Sequence, residues 1–151
     1  GRIIGPFIFN ERLDANVYLN FLRNELPVLL EDIPLDIRRS LWFQHDGCPA
    51  HFSQRVRHFL DDAYTNRWIG RGSLFPWPPR SPDLNVLDFY VWGKLKAIVY
   101  ERPPTTRENM IERIEDAITT ISRAEIETAV SSIRGRCNRC ILQNGGHFEH
   151  L

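Results

Sequence analysis

Residues 41–46 read Leu-Trp-Phe-Gln-His-Asp, a bulky apolar run that is closed by Gly47 and Pro49. A short apolar run bounded by turn residues is typical of a buried strand that leads into a loop. Asp46 is therefore predicted to lie at the carboxyl end of a strand.

The chain that follows this strand changes its hydrophobic period. Residues 53–63 have apolar side chains at helical spacing, among them Val56 and Leu60, and this spacing predicts a helix. A second short strand is predicted at residues 68–69, which are Trp and Ile. A strand, a helix and another strand in this order predict an α/β fold.

The residues before this unit predict one more strand and one more helix. Residues 2–9 are rich in β-branched and aromatic side chains, which predicts a strand whose sheet partners lie upstream and whose Pro6 lies at an edge or bulge. Asp14 is a candidate N-cap for a helix. The helical pattern runs up to Pro27, which either interrupts the helix or begins a second helical segment.

The residues after the unit predict a loop and then helices. Residues 70–82 contain four prolines and Trp77, which indicates a stiffened loop. Ser81 and Pro82 have the chemistry of an N-cap and a first helical residue. The helix beyond them is predicted to present one apolar face, formed by Leu84, Leu87, Val91, Leu95 and Ile98. After Pro103-Pro104, two further helices are predicted from isoleucine and valine spacing.

Length and composition bound the function classes. A chain of 151 residues with 42% hydrophobic and 25% charged residues is expected to fold as about one domain. The formal net charge is zero, so the overall charge gives no reason to expect a nucleic-acid partner. Three cysteines do not close a disulfide framework, and no apolar run approaches the roughly 20 residues of a membrane span. We expect a reducing compartment and no membrane partner.

Two aspartates stand out as candidate metal ligands before any family is considered. Asp46 follows a predicted strand and Asp88 lies near the start of a predicted helix, and α/β sites are built at such positions. Carboxylates are the ligands that Mg²⁺ and Mn²⁺ prefer. The alternative is that each aspartate only caps a helix or interacts with a helix dipole.

Three segments resemble the catalytic core of mariner-type transposases, which are DDE/D endonucleases with a ribonuclease-H-like fold. They are residues 43–51, Phe-Gln-His-Asp-Gly-Cys-Pro-Ala-His; residues 66–72, Asn-Arg-Trp-Ile-Gly-Arg-Gly; and residues 77–93, from Trp-Pro-Pro-Arg-Ser-Pro-Asp to Val-Trp-Gly. The resemblance runs from residue 2 to the end of the chain. It implies a partial ribonuclease-H-like core at residues 1–102 and a helical extension of the same domain at residues 103–151.

By this resemblance Asp46 matches the second acidic ligand and Asp88 the third, with 41 residues between them. Both would bind two Mg²⁺ or Mn²⁺ ions in the complete domain. Asp83 lies in the same stretch, but we interpret it as part of a helix cap. His51 matches a histidine of the family motif, and it either orients a carboxylate or phosphate or makes a structural hydrogen bond.

The resemblance also implies what precedes this chain in a complete protein. In the family the first aspartate lies on the first strand of the sheet, upstream of the segment that residues 2–9 resemble. Helix-turn-helix modules for the transposon ends also lie upstream. We therefore expect an amino-terminally truncated core that is inactive alone, from a nuclear protein that acts as a homodimer on transposon ends and target DNA.

Two other groups of residues are candidates for binding. Cys137, Cys140, His147 and His150 have a Cys-x-x-Cys and a His-x-x-His pattern that could bind Zn²⁺. Because both cysteines continue the apolar stripe of a helix, we interpret them as core residues and expect no zinc. Candidate DNA-phosphate contacts are Arg55, Arg71 and Arg80, for which a solvated face is the alternative.

Two hypotheses of function remain open. The first is a transposase that cleaves and joins DNA, with water attacking first and a freed 3′-hydroxyl second. The second is a decayed or domesticated module that binds nucleic acid or a protein without catalysis. The upstream reading frame discriminates between them, since an intact strand with an aspartate favours the first.

Overall fold

The structure, a computed structural model, describes residues 2–78 and 81–146. Within these ranges the α-helices are α1 (Ala15–Asn20), α2 (Leu26–Leu29), α3 (Leu35–Ser40), α4 (Gln54–Ala63), α5 (Trp92–Val99), α6 (Arg107–Thr119) and α7 (Arg123–Leu142). The strands are β1 (Phe43–Gln44) and β2 (Trp68–Ile69). Two π-helical turns, Phe21–Glu25 and Leu87–Val91, and a 3₁₀ turn, Pro82–Leu84, complete the regular structure.

The chain divides into two compact units, each with its own apolar core. One unit is Phe9–Arg80, and the other combines the residues up to Ile8 with the chain from Ser81 onward. The core of the first includes Leu22, Val56, Leu60 and Trp68. The core of the second is built mainly from α5 and α6, with Val91, Leu95, Val99, Ala117 and Ile121 buried. The predicted boundary at residue 102 stays a prediction.

The strand, helix, strand unit predicted from the sequence is present. Strands β1 and β2 pair in parallel, with Phe43 opposite Trp68 and Gln44 opposite Ile69, and α4 makes the crossover that parallel strands require. Ser53 caps α4 by accepting a hydrogen bond from the amide of Val56. Asp46 therefore lies two residues past the carboxyl end of a parallel strand.

The strand predicted at residues 2–9 is wrong, because none of residues 2–9 is in a strand. A strand needs a neighbouring strand to satisfy its amides and carbonyls, and within the described residues only β1 and β2 pair as strands. The apolar side chains of the segment are used for packing instead. Ile3 lies against the α5–α6 core, and the Phe9 ring meets that of Phe21 edge-on at 5.6 Å.

The helix predicted after Asp14 is confirmed, and it continues through Pro27. One oxygen of Asp14 accepts hydrogen bonds from the amides of Asn16 and Val17. Helix α1 passes through the π-helical turn Phe21–Glu25 into α2, which contains the proline. The wider turn lies directly before Pro27, which has no amide hydrogen to donate to the preceding turn.

The single helix predicted from Ser81 is wrong in its detail. Pro82–Leu84 forms only a 3₁₀ turn with no side-chain cap from Ser81, and the chain is extended at Asn85 before the next helical segment begins. The buried face of that segment consists of Val91, Leu95 and Val99, whereas Leu87 and Ile98 are exposed. The predicted stripe is therefore confirmed at Val91 and Leu95 and wrong at Leu87 and Ile98.

The two carboxy-terminal helices are confirmed as α6 and α7. Thr106 caps α6, and Ser122 forms a capping box with Glu125 at the start of α7. Cys137 and Cys140 are only half-buried on α7 and not in a disulfide, so they are not the fully buried core residues that the sequence predicted. No helix in the described part of the chain is long and apolar enough to cross a membrane.

Glu125 supports a prediction about acid stability. Hydrogen bonds from Lys94, Ser122 and Tyr90, that from Lys94 having the largest effect, lower the pKa of Glu125 to about 2 from its ordinary 4.5. A carboxyl whose pKa is lower in the folded state stabilises the fold above its ordinary pKa. This stabilisation is lost as the pH falls from about 4.5 toward 2.

We expect Glu125→Gln to lower the urea midpoint at pH 6, with the difference from the wild type disappearing near pH 2. Glutamine keeps the capping box and removes the charge, and Glu112→Gln, at an exposed position of α6, is the matched control. A difference between wild type and Glu125→Gln that is the same at both pH values would contradict this role.

Candidate metal centre

Asp46 is exposed and one of its two carboxylate oxygens is held in place. The backbone amide of Cys48 donates to Asp46 Oδ1 at 3.0 Å, and His51 Nδ1 lies 2.7 Å from the same oxygen. A carboxylate only accepts, so the His51 nitrogen is the donor. Within the described residues no group hydrogen-bonds to Oδ2, which leaves this oxygen open to a cation.

The ring of His51 is itself fixed by aromatic contacts. It lies against Tyr18 with ring centroids 4.1 Å apart and stacks on His45 at 5.0 Å, with only 5° between the planes. The His51 side chain is 16% exposed, against 50% for Asp46. The imidazole is thus a rigid, mostly buried support beneath an exposed carboxylate, in keeping with the orienting role considered for it from the sequence.

His45 is a buried neutral imidazole behind this support. Burial, and after it the neighbouring His51, lowers the pKa of His45 to about 4 from its ordinary 6.5, against the opposing effect of Asp46. Burial, then the charge of Asp46, raises the pKa of Tyr18. The Tyr18 hydroxyl and His45 Nδ1 form a hydrogen bond with each other at 3.3 Å. His45 Nε2 is buried and has no hydrogen-bond partner in the described part of the chain.

Gly70 provides the space that His45 occupies. A Cβ at position 70 would lie 2.4 Å from both Cδ2 and Nε2 of His45 and 2.9 Å from Cζ3 of Trp68. Gly70 directly follows β2, so the end of this strand and the His45 ring share one tightly packed volume. The support of Asp46 thus depends on a residue with no side chain.

Asp88 is also exposed, and its carboxylate is held by a neighbour in sequence. The side-chain amide of Asn85 donates to Asp88 Oδ2 at 2.9 Å, and the Asp88 amide donates to the Asn85 carbonyl, also at 2.9 Å. Asp88 lies in the π-helical turn that leads into α5, and single π-turns are frequent at functional sites. Asn85 was not singled out from the sequence, although it lies three residues before Asp88 in the same motif.

Asp83 does not act as the helix cap that the sequence suggested. It is buried, with 6% of its surface exposed, inside a three-residue 3₁₀ turn that no side chain caps. Its carbonyl oxygen accepts a hydrogen bond from Arg136 Nε on α7. A buried side chain is poorly placed to bind a hydrated cation, which is consistent with choosing Asp88 over Asp83.

The donors at these positions suit a hard cation. Asp46 and Asp88 both offer exposed carboxylate oxygens, the ligand type of Mg²⁺ and Mn²⁺, and each belongs to a different compact unit. Within residues 2–78 and 81–146 no group of three or more His, Cys, Asp or Glu side chains could hold a metal ion. His147 and His150 lie outside the described residues, so the expected absence of zinc stays a prediction.

The candidate phosphate contacts differ in how well they are fixed. Arg55 is exposed and donates to Asn16 Oδ1 at 3.2 Å. The Phe52 ring has two guanidinium groups near it, that of Arg71 at 4.0 Å and that of Arg57 at 4.8 Å. Arg71 is therefore held against an aromatic face in the unit that contains Asp46. Arg80 lies outside the described residues.

The chain is similar in sequence to curated transposases. The chain is 28% identical over 143 residues to the transposable element Tc3 transposase of Caenorhabditis elegans, and the match covers 93% of the chain and 40% of that protein. It is 26% identical over 110 residues to the Tc1 transposase of the same organism, covering 73% of the chain and 37% of that protein. The chain thus spans less than half the length of these relatives. No protein-family model matches it.

Solved structures give the same assignment of the fold. The catalytic domain of the Mos1 mariner transposase matches with a TM-score of 0.78 at 21% identity, covering 93% of the chain and 66% of that domain. The same domain solved with raltegravir and Mn also matches with a TM-score of 0.78. The chain therefore has the fold of a mariner catalytic domain, which is ribonuclease-H-like, as the motifs predicted.

Proposed function

We propose that this chain, a mariner-type transposase catalytic-domain segment by its fold and its sequence relatives, contributes two metal ligands to DNA strand cleavage and strand transfer. In this proposal Asp46 and Asp88 bind divalent ions of the Mg²⁺ or Mn²⁺ type. The observation that supports it most directly is Asp46 itself, an exposed carboxylate past the end of β1 with one oxygen held and the other open. Carboxylates at the ends of parallel strands are where α/β sites form.

The residues around each aspartate would act by orientation. His51 and the Cys48 amide hold Asp46, and the Asn85 side chain holds Asp88. When bound, the divalent ions would stabilise the charge that develops on the attacking and leaving oxygens of a phosphodiester. The groups that hydrogen-bond to a metal-binding carboxylate fix its orientation, and so the direction in which its lone pairs point toward a cation.

The remaining parts of the proposal concern the whole protein. A further aspartate on a strand upstream would complete the ligand set, and this chain would then be inactive alone. The proposed substrate is DNA, both the transposon ends and the target. The proposed contacts to DNA phosphates are Arg55, Arg71 and Arg80. We also propose a homodimer and a nuclear location for the whole protein, because the chain resembles transposases.

The metal assignment is tested on the chain as it is. Mn²⁺ is paramagnetic and broadens the amide signals of residues near a site even when binding is weak, so a titration followed by NMR locates it. We expect broadening around Asp46 and Asp88. Asp46→Asn and Asp88→Asn should each weaken Mn²⁺ binding at least about tenfold, because loss of an outer-shell partner alone costs about 10–100-fold.

Asp32→Asn is the matched control, because Asp32 is exposed and its substitution removes the same charge as the other two variants. The control should titrate like the wild type. Broadening that persists around positions 46 and 88 in both variants would show that the two carboxylates are not ligands, and the proposal would fail.

A further inference from the structure

Helix α7 contacts the segment that carries Asp88 from about fifty residues farther along the chain. Arg136 Nε donates to the carbonyl oxygen of Asp83, and the Arg136 guanidinium lies 4.0 Å above the centre of the Phe89 ring. Arg136 thus holds the segment both before and after Asp88, once through the backbone and once through a side chain. All of these residues belong to the same compact unit.

A second contact from α7 lies nearer the helix start. Glu125 accepts a hydrogen bond from the Tyr90 hydroxyl at 3.0 Å and is paired with Lys94. The Glu125 side chain is 39% exposed and that of Lys94 27%, so the pair is partly shielded from water. Helix α7 therefore holds this segment at two points, Glu125 and Arg136, which are eleven residues apart. The residues that they contact are Asp83, Phe89, Tyr90 and Lys94.

Residues 85–88, which lie between these contacts, have little regular secondary structure. Asn85 is extended, and Val86 at the start of the π-helical turn provides no side-chain cap. The turn itself is closed by a bond from the Trp92 amide to the Leu87 carbonyl, five residues apart. Such turns are rare and less regular than α-helix, so contacts from outside the segment have more influence on where Asp88 points.

We propose that α7 positions Asp88, with Arg136 and Glu125 as the positioning residues. The significance for metal binding rests on the proposed function, but the ordering of the segment does not. A planar guanidinium is suited to this role because it donates in its plane and stacks through its face at the same time. The carboxy-terminal helix would then be part of the site's construction, in addition to covering the core.

The test replaces Arg136 with methionine, which keeps an apolar stem over Phe89 and removes the donors. Amide hydrogen exchange of residues 85–90 reports the order of the segment without any metal. We expect these amides to exchange at least about tenfold faster in Arg136→Met, while the buried amides of α6 keep their protection. Arg134→Met, two residues away on an exposed part of α7, is the matched control and should exchange like the wild type.

Mn²⁺ binding gives the second readout. In Arg136→Met we expect the Mn²⁺ affinity at Asp88 to fall about 10–100-fold. Arg136→Lys, which keeps a charged N–H donor group but cannot stack as a plane, should recover part of this affinity. If residues 85–90 exchange as in the wild type, or if all amides of the unit lose protection equally, the positioning role is wrong. If instead Asp88→Asn leaves Mn²⁺ binding unchanged, the proposed function fails, and the exchange data still decide the positioning.

Discussion

On the proposed function, Asp46→Asn is expected to reduce Mn²⁺-dependent DNA cleavage on the order of a thousandfold or more in a full-length transposase that contains this chain. Asparagine has the same shape as aspartate and can still contact His51, so the fold around β1 should persist. It lacks the negative charge that holds a divalent cation against a phosphodiester. Nicking of supercoiled DNA, followed at several Mn²⁺ concentrations, measures the loss.

The Mn²⁺ series distinguishes a lost ligand from a disturbed fold. A lost ligand should leave the melting temperature nearly unchanged and should be only partly compensated by high Mn²⁺. Asp32→Asn in the same protein should cleave at the wild-type rate. Equal nicking by the wild type and Asp46→Asn would remove Asp46 from the reaction.

Gly70→Ala is expected to destabilise the unit that contains Asp46 by about 1–3 kcal/mol, the usual cost of inserting an atom into a filled core. The added Cβ would lie 2.4 Å from two atoms of His45 and 2.9 Å from Trp68. Neither ring has a flexible end that can move aside, because Trp68 is 2% exposed and His45 is stacked on His51. Urea unfolding followed by Trp fluorescence measures the change.

Gly47→Ala is the control for this prediction, because a Cβ at position 47 has nothing within 4 Å. It should unfold within about 0.5 kcal/mol of the wild type, as surface substitutions do. A shift of the aromatic NMR signals of His51 in Gly70→Ala would further show that the strain reaches the support of Asp46. Equal stability of the two variants would mean that His45 can move freely.

The sequence predicts the elements near Asp46 well because their signals are local. The apolar run before Asp46, the helical spacing of residues 53–63 and the Trp68-Ile69 strand require no information from elsewhere in the chain. The strand at residues 2–9 fails for the opposite reason. Strand formation depends on a partner, and a β-rich composition cannot supply one.

The sequence suggests Asp46, Asp88 and His51 as candidate site residues, but it does not suggest most of the residues that contact them. His51 is suggested by the motif, but Tyr18 lies 27 residues from His45, and no pattern links them. Arg136 is 53 residues from Asp83, and no pattern in the sequence links these two residues either. Contacts of this kind depend on tertiary packing, which composition and periodicity do not encode.

The hydrogen bonds to Asp46 engage only one of its two carboxylate oxygens, which bears on the cation that it would bind. With Oδ1 taken by His51 and the Cys48 amide, the carboxylate would offer a divalent cation Oδ2 alone. Calcium favours six to eight ligands and readily takes both oxygens of a carboxylate, whereas magnesium is smaller and keeps an octahedral shell with several waters. A ligand that presents a single atom suits the smaller ion, so discrimination by ionic size would begin with a histidine that never touches the metal.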